Sequence, residues 1–366
     1  MKKILFIEAT ASKGGIETFI LNTCKHLDKK KYNITVLADC SKCSIENDLI
    51  AEKIKIKHIP PLKSGVIKYI VNLWKTIDSR KYDIVHINKN SLSDPIALII
   101  CKLKKIPQII VHSHNTHPTA NSSAHVLHEF FRKILLDKNI GKIACSEQAG
   151  EWMFGKNNHS YMLLKNGIEL KRFSFNPELR NKVRNELSLS DSTLAVCNVG
   201  RLSEQKNPLF LIEIMNSLLK IRPDAKLFII GKGELENAIK KKVNDFGIKK
   251  NVVFLGNRSD INELLQGMDI FLMPSLYEGL PIAAVEAQAS SLPLLISDTV
   301  DKGIKLLNST EFESLNSSAD VWAKHCLELV PKFNRRNVET EIRNHGYDIE
   351  KSTLELEKFY CKGKSK

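Results

Sequence analysis

Residues 270–297 read IFLMPSLYEGLPIAAVEAQASSLPLLIS. The apolar run Ile270–Met273 has the length of a buried strand, and Pro274 to Leu280 interrupt it with turn residues. Pro281 suits the first turn of a helix, where the missing N–H costs nothing, and the spacing carries that helix to Ser290. Pro293–Ser297 then starts a second strand. This is one βαβ unit, so the sheet is parallel. The same alternation continues outward. Toward the N-terminus stand a strand at Thr193–Val199, a helix at Pro208–Leu219, a strand at Ala225–Ile230, a helix at Leu235–Phe246, a strand at Val252–Leu255 and a helix at Ile261–Gln266. The first half repeats the pattern. Lys3–Glu8 reads as a strand, then a Gly-Gly loop, a helix over Glu17–Leu27 and a strand at Ile34–Ala38. Helical spacing follows over Gly65–Ser79, then a strand at Asp83–Ile87, a helix at Pro95–Leu103, a strand at Gln108–His112 and a short strand at Ile143–Cys145. Between the halves, residues 166–192 are polar and lack a strand period. The expectation is an α/β protein of two doubly wound, Rossmann-like parallel-sheet domains facing each other across a cleft. They would span 1–168 and 169–345, with a terminal helix of about 346–362 packing back on the first. Open α/β sheets bind ligands past the carboxyl ends of their strands, so the chemistry is expected in those loops.

Composition narrows the classes. The chain has 366 residues, enough for two cores, with 43% hydrophobic and 26% charged residues. No run approaches the roughly 20 apolar residues of a membrane-spanning helix. The apolar run after Lys2-Lys3 is only Ile4–Ile7, short of the roughly 7–15 residues of a secretory signal; a cytoplasmic location is expected. Eight scattered cysteines, with Cys40 and Cys43 the one close pair, complete no zinc set and read as reduced thiols. The formal net charge of +14 is uneven: residues 1–165 hold 26 basic and 14 acidic side chains, against 29 and 27 in residues 166–366. A basic half fits nucleic acid, an anionic membrane surface or a phosphorylated substrate. Aromatics are only 7% and no nucleic-acid module is apparent, so nucleic acid is not expected and the membrane surface is the best specific reading.

Four strand-end loops carry chemistry. Gly14-Gly15-Ile16-Glu17 opens a helix, where backbone N–H groups and positive potential meet an anion; a tight turn needing positive φ explains two glycines equally well. His112-Ser113-His114-Asn115-Thr116-His117 leaves metal binding, proton transfer and a plain polar loop open. Gly200-Arg201-Leu202 through Lys206-Asn207 brackets a helix start with two cations able to neutralise a diphosphate. Tyr277-Glu278-Gly279-Leu280-Pro281-Ile282 precedes a helix carrying Glu286, which lies in a nearly uncharged run where a buried carboxylate needs a partner.

Together these loops resemble the retaining glycosyltransferases of family 4, which have the GT-B fold. Glu278 and Glu286 match the family's EX7E motif, Gly200-Arg201-Leu202 with Lys206-Asn207 its GRL…K loop, and Gly14-Gly15-Ile16-Glu17 its GGxE. Lesser matches are Ser146, Asn166-Gly167-Ile168, Gly231-Lys232-Gly233 and Phe254-Leu255-Gly256. Within the family, HSHNT and ISDTV resemble enzymes of bacterial exopolysaccharide and capsule synthesis. The resemblance implies a retaining enzyme moving a sugar from a nucleotide-sugar, by subgroup a UDP-sugar, to a polyprenyl-diphosphate-linked glycan at the inner membrane face. Arg201 and Lys206 would hold the donor diphosphate, Glu286 the ribose, and Glu278 the transferred sugar. Gly14, Gly15, Gly231, Gly279, Leu280, Pro281 and Ile282 would line the donor. His114, with His112 as runner-up, would be the active-site histidine, and Asn115 and Ser146 would lie on the acceptor side. No DxD motif is present, and neither a metal nor another cofactor is implied. The alternative is a catalytically silent scaffold or regulatory subunit that keeps the fold.

Overall fold

In the computed structural model, residues 1–11, 14–114, 122–156, 158 and 160–362 are described. The chain divides into two compact units, Met1–Ile168 with Asp348–Lys366, and Glu169–Tyr347. The first unit runs β1 (Lys2–Ala9), α1 (Gly15–His26), β2 (Tyr32–Ala38), α2 (Glu46–Ala51), β3 (Lys55–His58), α3 (Val66–Thr76), β4 (Ile84–Lys89), α4 (Ile96–Leu103), β5 (Gln108–Ser113), α5 (Ser122–Leu135), β6 (Ile140–Ala144), α6 (Glu147–Phe154) and β7 (Met162–Leu163). Its sheet has the order β3-β2-β1-β4-β5-β6-β7, and every strand pairing is parallel.

The second unit opens with α7 (Leu170–Phe173) and α8 (Pro177–Glu186), then β8 (Ala195–Val199), α9 (Pro208–Ile221), β9 (Lys226–Ile230), α10 (Glu236–Asp245), β10 (Val252–Gly256), α11 (Ile261–Gly267), β11 (Ile270–Met273), α12 (Ile282–Ala289), β12 (Leu294–Ser297), β13 (Thr310–Glu313), α13 (Ala319–Leu329) and α14 (Glu339–Asn344). Its order is β10-β9-β8-β11-β12-β13, again parallel. The last helix, α15 (Ile349–Lys362), belongs to the first unit. Central strands are buried on both faces, which is why they read as continuous apolar runs rather than alternating ones.

The structure departs from the sequence reading in a few places. Residues 166–192 are not a featureless connection. They hold α7 and α8, whose Arg184 is buried and bonds the carbonyls of Gly267, Ser190 and Thr193 and the carboxylate of Asp269. The run lacks a strand period because it is helical, with its polar face spent on these bonds. β3, β7 and β13 escape the reading as well. β3 is the lysine-bearing edge strand Lys55-Ile56-Lys57-His58, and lysine on an edge discourages pairing with other chains. α15 returns to the first unit through a bridge between Ile168 and Asp348. Gly167 makes that return possible, because a Cβ there would lie 2.5 Å from the Cα of Ile349. Tyr360 then seats its hydroxyl 2.7 Å from His86 Nδ1, inside the core.

Candidate functional site

In the second unit the strand order places the loops after β9, β8 and β11 side by side at the carboxyl edge. The first two are joined through backbone: Gly200 N–H donates to Ile230 O at 2.9 Å and Leu202 N–H to Lys232 O at 3.1 Å. Gly231 has φ +136°, and a Cβ there would meet the carbonyl oxygen of Gly200 at 1.9 Å, so its identity is set by this close approach. The third loop is tied in by Leu276 N–H on Gln205 O at 2.8 Å and by the Gln205 amide on Tyr277 O at 3.0 Å.

These ties bring Lys206 and Glu278 together. Lys206 Nζ lies 2.5 Å from Glu278 Oε1, and Gln205 Nε2 lies 3.4 Å from its other oxygen. Glu278 is 7% exposed, so a carboxylate kept out of water has a cation and an amide as partners. Arg201, five residues away, turns instead to Glu234 at 3.2 Å, with the two side chains 61% and 54% exposed. Such a surface pair is worth about 0–1 kcal/mol, so Arg201 is cheaply redirected toward an anion. Glu286 is half-buried within α12, whose N-terminal turn follows Gly279, Leu280 and Pro281. Ser275, which sequence reasoning did not single out, has a buried hydroxyl with no protein partner.

In the first unit, Gly14 has φ −140°, and neither Gly14 nor Gly15 takes a positive φ. The tight-turn explanation for the glycine pair therefore fails. A Cβ on Gly15 would meet nothing within 4 Å. Glu17 organises the loop from below: buried, it accepts bonds from Thr10 N–H at 3.0 Å, Thr10 hydroxyl at 2.7 Å and Gly14 N–H at 2.9 Å.

The histidines form a chain. His86 Nε2 lies 3.2 Å from His112 Nδ1, and the rings of His112 and His114 have centroids 4.0 Å apart. Burial lowers His86 and His114 to about 3 and His112 well below the usual imidazole value. All three are therefore neutral at pH 7, so His86 donates to one of Tyr360 and His112 and accepts from the other. His114 Nε2 meets Asn88 Oδ1 at 3.0 Å, while His114 Nδ1 and His112 Nε2 are buried without a protein partner. His112 is fully buried and His114 half-buried, with both His114 ring nitrogens enclosed, Nε2 on Asn88 and Nδ1 out of reach of water. Asn115 lies outside the described residues. Ser146 caps α6, accepting from Ala149 N–H at 3.1 Å.

Four polar residues near this edge escaped the reading: Glu8, His86, Asn88 and Lys89. Glu8 sits at φ +84° where the β1–β2 register breaks, and pairs with Lys89, which also meets Asp94 at 3.4 Å. Burial lifts the Glu8 carboxyl to about 7 despite the Lys89 cation. The signal was present in His86-Ile87-Asn88-Lys89, three polar side chains closing a central apolar strand. Among the described residues no cluster of three His, Cys, Asp or Glu side chains could hold a metal ion, and no helix is long and apolar enough to cross a membrane.

Two family models match the chain: Glycosyltransferase Family 4 over residues 13–172 and Glycosyl transferases group 1 over residues 180–311. The chain belongs to the family 4 glycosyltransferases. This glycosyltransferase is 29% identical, over 98% of its length and 96% of the other, to the Bacillus subtilis (strain 168) protein named "Putative glycosyltransferase EpsF". It is 26% identical, over 76% of its length and 75% of the other, to the Escherichia coli UDP-Gal:alpha-D-GlcNAc-diphosphoundecaprenol alpha-1,3-galactosyltransferase. Among solved structures, Anabaena HepE in complex with UDP and glucose superposes with a TM-score of 0.80 at 16% identity, covering 99% of this chain and 100% of that one. Sucrose-phosphate synthase from Thermosynechococcus elongatus gives 0.76 at 15%, covering 99% of each. At those identities the likeness shows the fold alone, and the two parallel-sheet units of this glycosyltransferase are those of GT-B enzymes.

Proposed function

We propose that this glycosyltransferase moves a sugar from a UDP-sugar, with retention and without a metal, to a polyprenyl-diphosphate-linked glycan at the inner face of the cell membrane, in exopolysaccharide or capsule synthesis. The observation that carries the reading is the buried Glu278 held by the half-buried Lys206, beside the exposed Arg201 and the N-terminal turn of α12. A donor diphosphate arriving at this edge competes for Lys206. The ammonium passes to the phosphate oxygens and frees the Glu278 carboxylate to accept bonds from the sugar hydroxyls. As the anomeric C–O bond breaks, negative charge collects on the leaving diphosphate, where Lys206, Arg201 and the backbone N–H groups opening α12 meet it. Glu286 faces the ribose, and His114 serves as the active-site histidine. The E. coli relative named for UDP-Gal and a diphosphoundecaprenol acceptor supports the donor and acceptor parts of this reading.

Purified protein incubated with a panel of UDP-sugars, with and without a polyprenyl-diphosphate glycan and with and without a chelator, tests it. UDP release should require one donor, proceed in chelator and give a product of unchanged anomeric configuration. Arg201→Ala, whose ion pair is exposed, should lower turnover roughly 10²–10³-fold with an unchanged melting temperature. Inverted product or loss of activity to the chelator overturns the corresponding part. UDP binding without turnover of any donor makes the chain a silent scaffold.

A further inference from the structure

The outward faces of α3 and α5 are apolar. On α3, Tyr69 and Leu73 point into the unit, while Val66, Ile67, Ile70, Val71 and Trp74 face out with 37–80% of their surface exposed. On α5, the inner face is anchored by His128, which accepts from Leu92 N–H at 3.0 Å and stacks on Trp152 at 4.1 Å. Its outer face presents Val126, Leu127, Phe130 and Ile134, 45–66% exposed. α3, α4 and α5 each carry the chain in the same direction across the sheet, from β3 to β4, β4 to β5 and β5 to β6. Right-handed crossovers therefore put all three on one side. The end of α4 bridges the other two: Lys104 Nζ lies 4.3 Å from the Trp74 ring centroid, and Lys102 Nζ bonds Leu135 O at 3.0 Å. Between them Leu103 is 64% exposed.

The charge around this face is predominantly basic. Residues 62–76 and 96–105 carry six lysines and no carboxylate, and on α5 the one carboxylate, Glu129, is held by Arg132 with Lys133 beside it; Lys102 is paired with Asp137, so the free charge of the face comes from the other lysines. A second copy of the chain would set lysine against lysine, and a solvated basic face would not interleave its lysines with isoleucine, phenylalanine and tryptophan. A bilayer of anionic lipids answers both features, taking apolar side chains at its headgroup boundary and drawing lysines to its phosphates.

We propose that the α3–α4–α5 face of the first unit docks flat on an anionic lipid bilayer, inserting Ile67, Trp74 and Phe130 with Lys63, Lys68, Lys75 and Lys104 at the headgroups. This deepens the membrane part of the reading above and rests on it for its purpose. The helices start at the carboxyl edge of the sheet, where His114 stands, so docking would bring that edge toward a lipid-borne acceptor.

The full-length protein is sedimented with vesicles of phosphatidylcholine alone and of equimolar phosphatidylcholine and phosphatidylglycerol. It should bind the anionic vesicles, with affinity that fades as salt rises, and bind phosphatidylcholine weakly. Lys63→Ala, Lys68→Ala and Lys75→Ala together should weaken binding about a hundredfold, at roughly fivefold per lysine. Ile67→Glu with Phe130→Glu should weaken it in high salt as well as low. UDP release from the donor, measured without lipid, should be unchanged in both variants and certifies the fold. Vesicle binding that is absent at low salt, or equal in wild type and both variants, overturns the proposal, as does a wild-type dimer that only Ile67→Glu with Phe130→Glu dissolves. Vesicle binding with no turnover of any donor leaves docking standing and removes the activity reading instead.

Discussion

At the scale of single residues, the site in the second unit is a matter of which charge holds which. Lys206 and Glu278 lie 72 positions apart and meet at 2.5 Å, the carboxylate buried and the ammonium partly exposed. Removing Lys206 leaves the buried Glu278 carboxylate without its cation and with only the Gln205 amide, which costs far more than the pair contributes. Lys206→Met should therefore destabilise the unliganded protein by about 3 kcal/mol. Glu278→Gln, which keeps shape and one hydrogen-bonding oxygen, should cost less, and the double variant should recover much of the Lys206→Met loss. Denaturant unfolding of the four proteins gives the coupling. Additive losses would mean that the two side chains do not share a bond. Glu17 is a quieter case. It was matched as part of a motif, yet its carboxylate is consumed in holding Thr10 and Gly14, so its part is to shape the glycine loop rather than to touch a ligand.

At the scale of elements, α15 is the piece most dependent on a distant partner. Lys2 Nζ bonds its Tyr360 carbonyl at 2.6 Å, Glu357 accepts from Asp28 N–H at 3.0 Å, and the Tyr360 hydroxyl reaches His86. Gly167 admits the chain that leads into it. Gly167→Ala should push backbone against backbone at Ile349, cost about 2–3 kcal/mol and speed amide exchange along α15 ahead of the other helices of its unit. Exchange unchanged in α15 would show that the return path tolerates a methyl group. Amphipathic spacing made this helix readable, whereas the partners of Tyr360 and Glu357 lie hundreds of residues away and leave no trace in local pattern. The missed strands are of the same kind. Residues Lys55–His58 alternate charge with a single isoleucine, and only pairing with β2 makes them a strand.

At the scale of the whole molecule, the buried imidazoles set a response to acid. His86 and His114 take up protons near 6.5 when unfolded but only at about 3 when folded, and His112 lies lower still. Their contribution to stability is complete above about pH 6.5 and is lost as the pH falls toward 3, at about 1.4 kcal/mol per pH unit for each ring. His128, lowered by burial, acts in the same direction. Glu8 opposes them, since its folded carboxyl binds a proton near 7 and its unfolded one near 4.5. The rings outnumber the one carboxyl, so between pH 6 and 5 the unfolded chain binds more protons than the folded one and stability falls as the pH falls. Denaturant midpoints at about pH 7.5, 6.5 and 5.5 should show the first unit losing stability faster than the second. A flat profile, or earlier loss in the second unit, would contradict neutral buried histidines.

The sequence by itself determined the two parallel-sheet units and the identity of the loops that matter. Strand length, helical period, Pro281 at a helix start and the charged loops after apolar runs are set by sterics and hydrogen bonding within a few residues, and such patterns are legible without a partner. Tertiary structure alone decided the pairings. It gave Lys206 to Glu278 and Arg201 to Glu234, joined Tyr360 to His86, and fitted Gly231 against Gly200. It also decided which side of α3 meets water. Apolar residues cover more than half of that helix's circumference, and the helical spacing does not say which of them are covered; Tyr69 and Leu73 are buried while most of the others remain outside. Burial depends on what packs alongside, and that is fixed by chain closure over long separations rather than by any window of sequence.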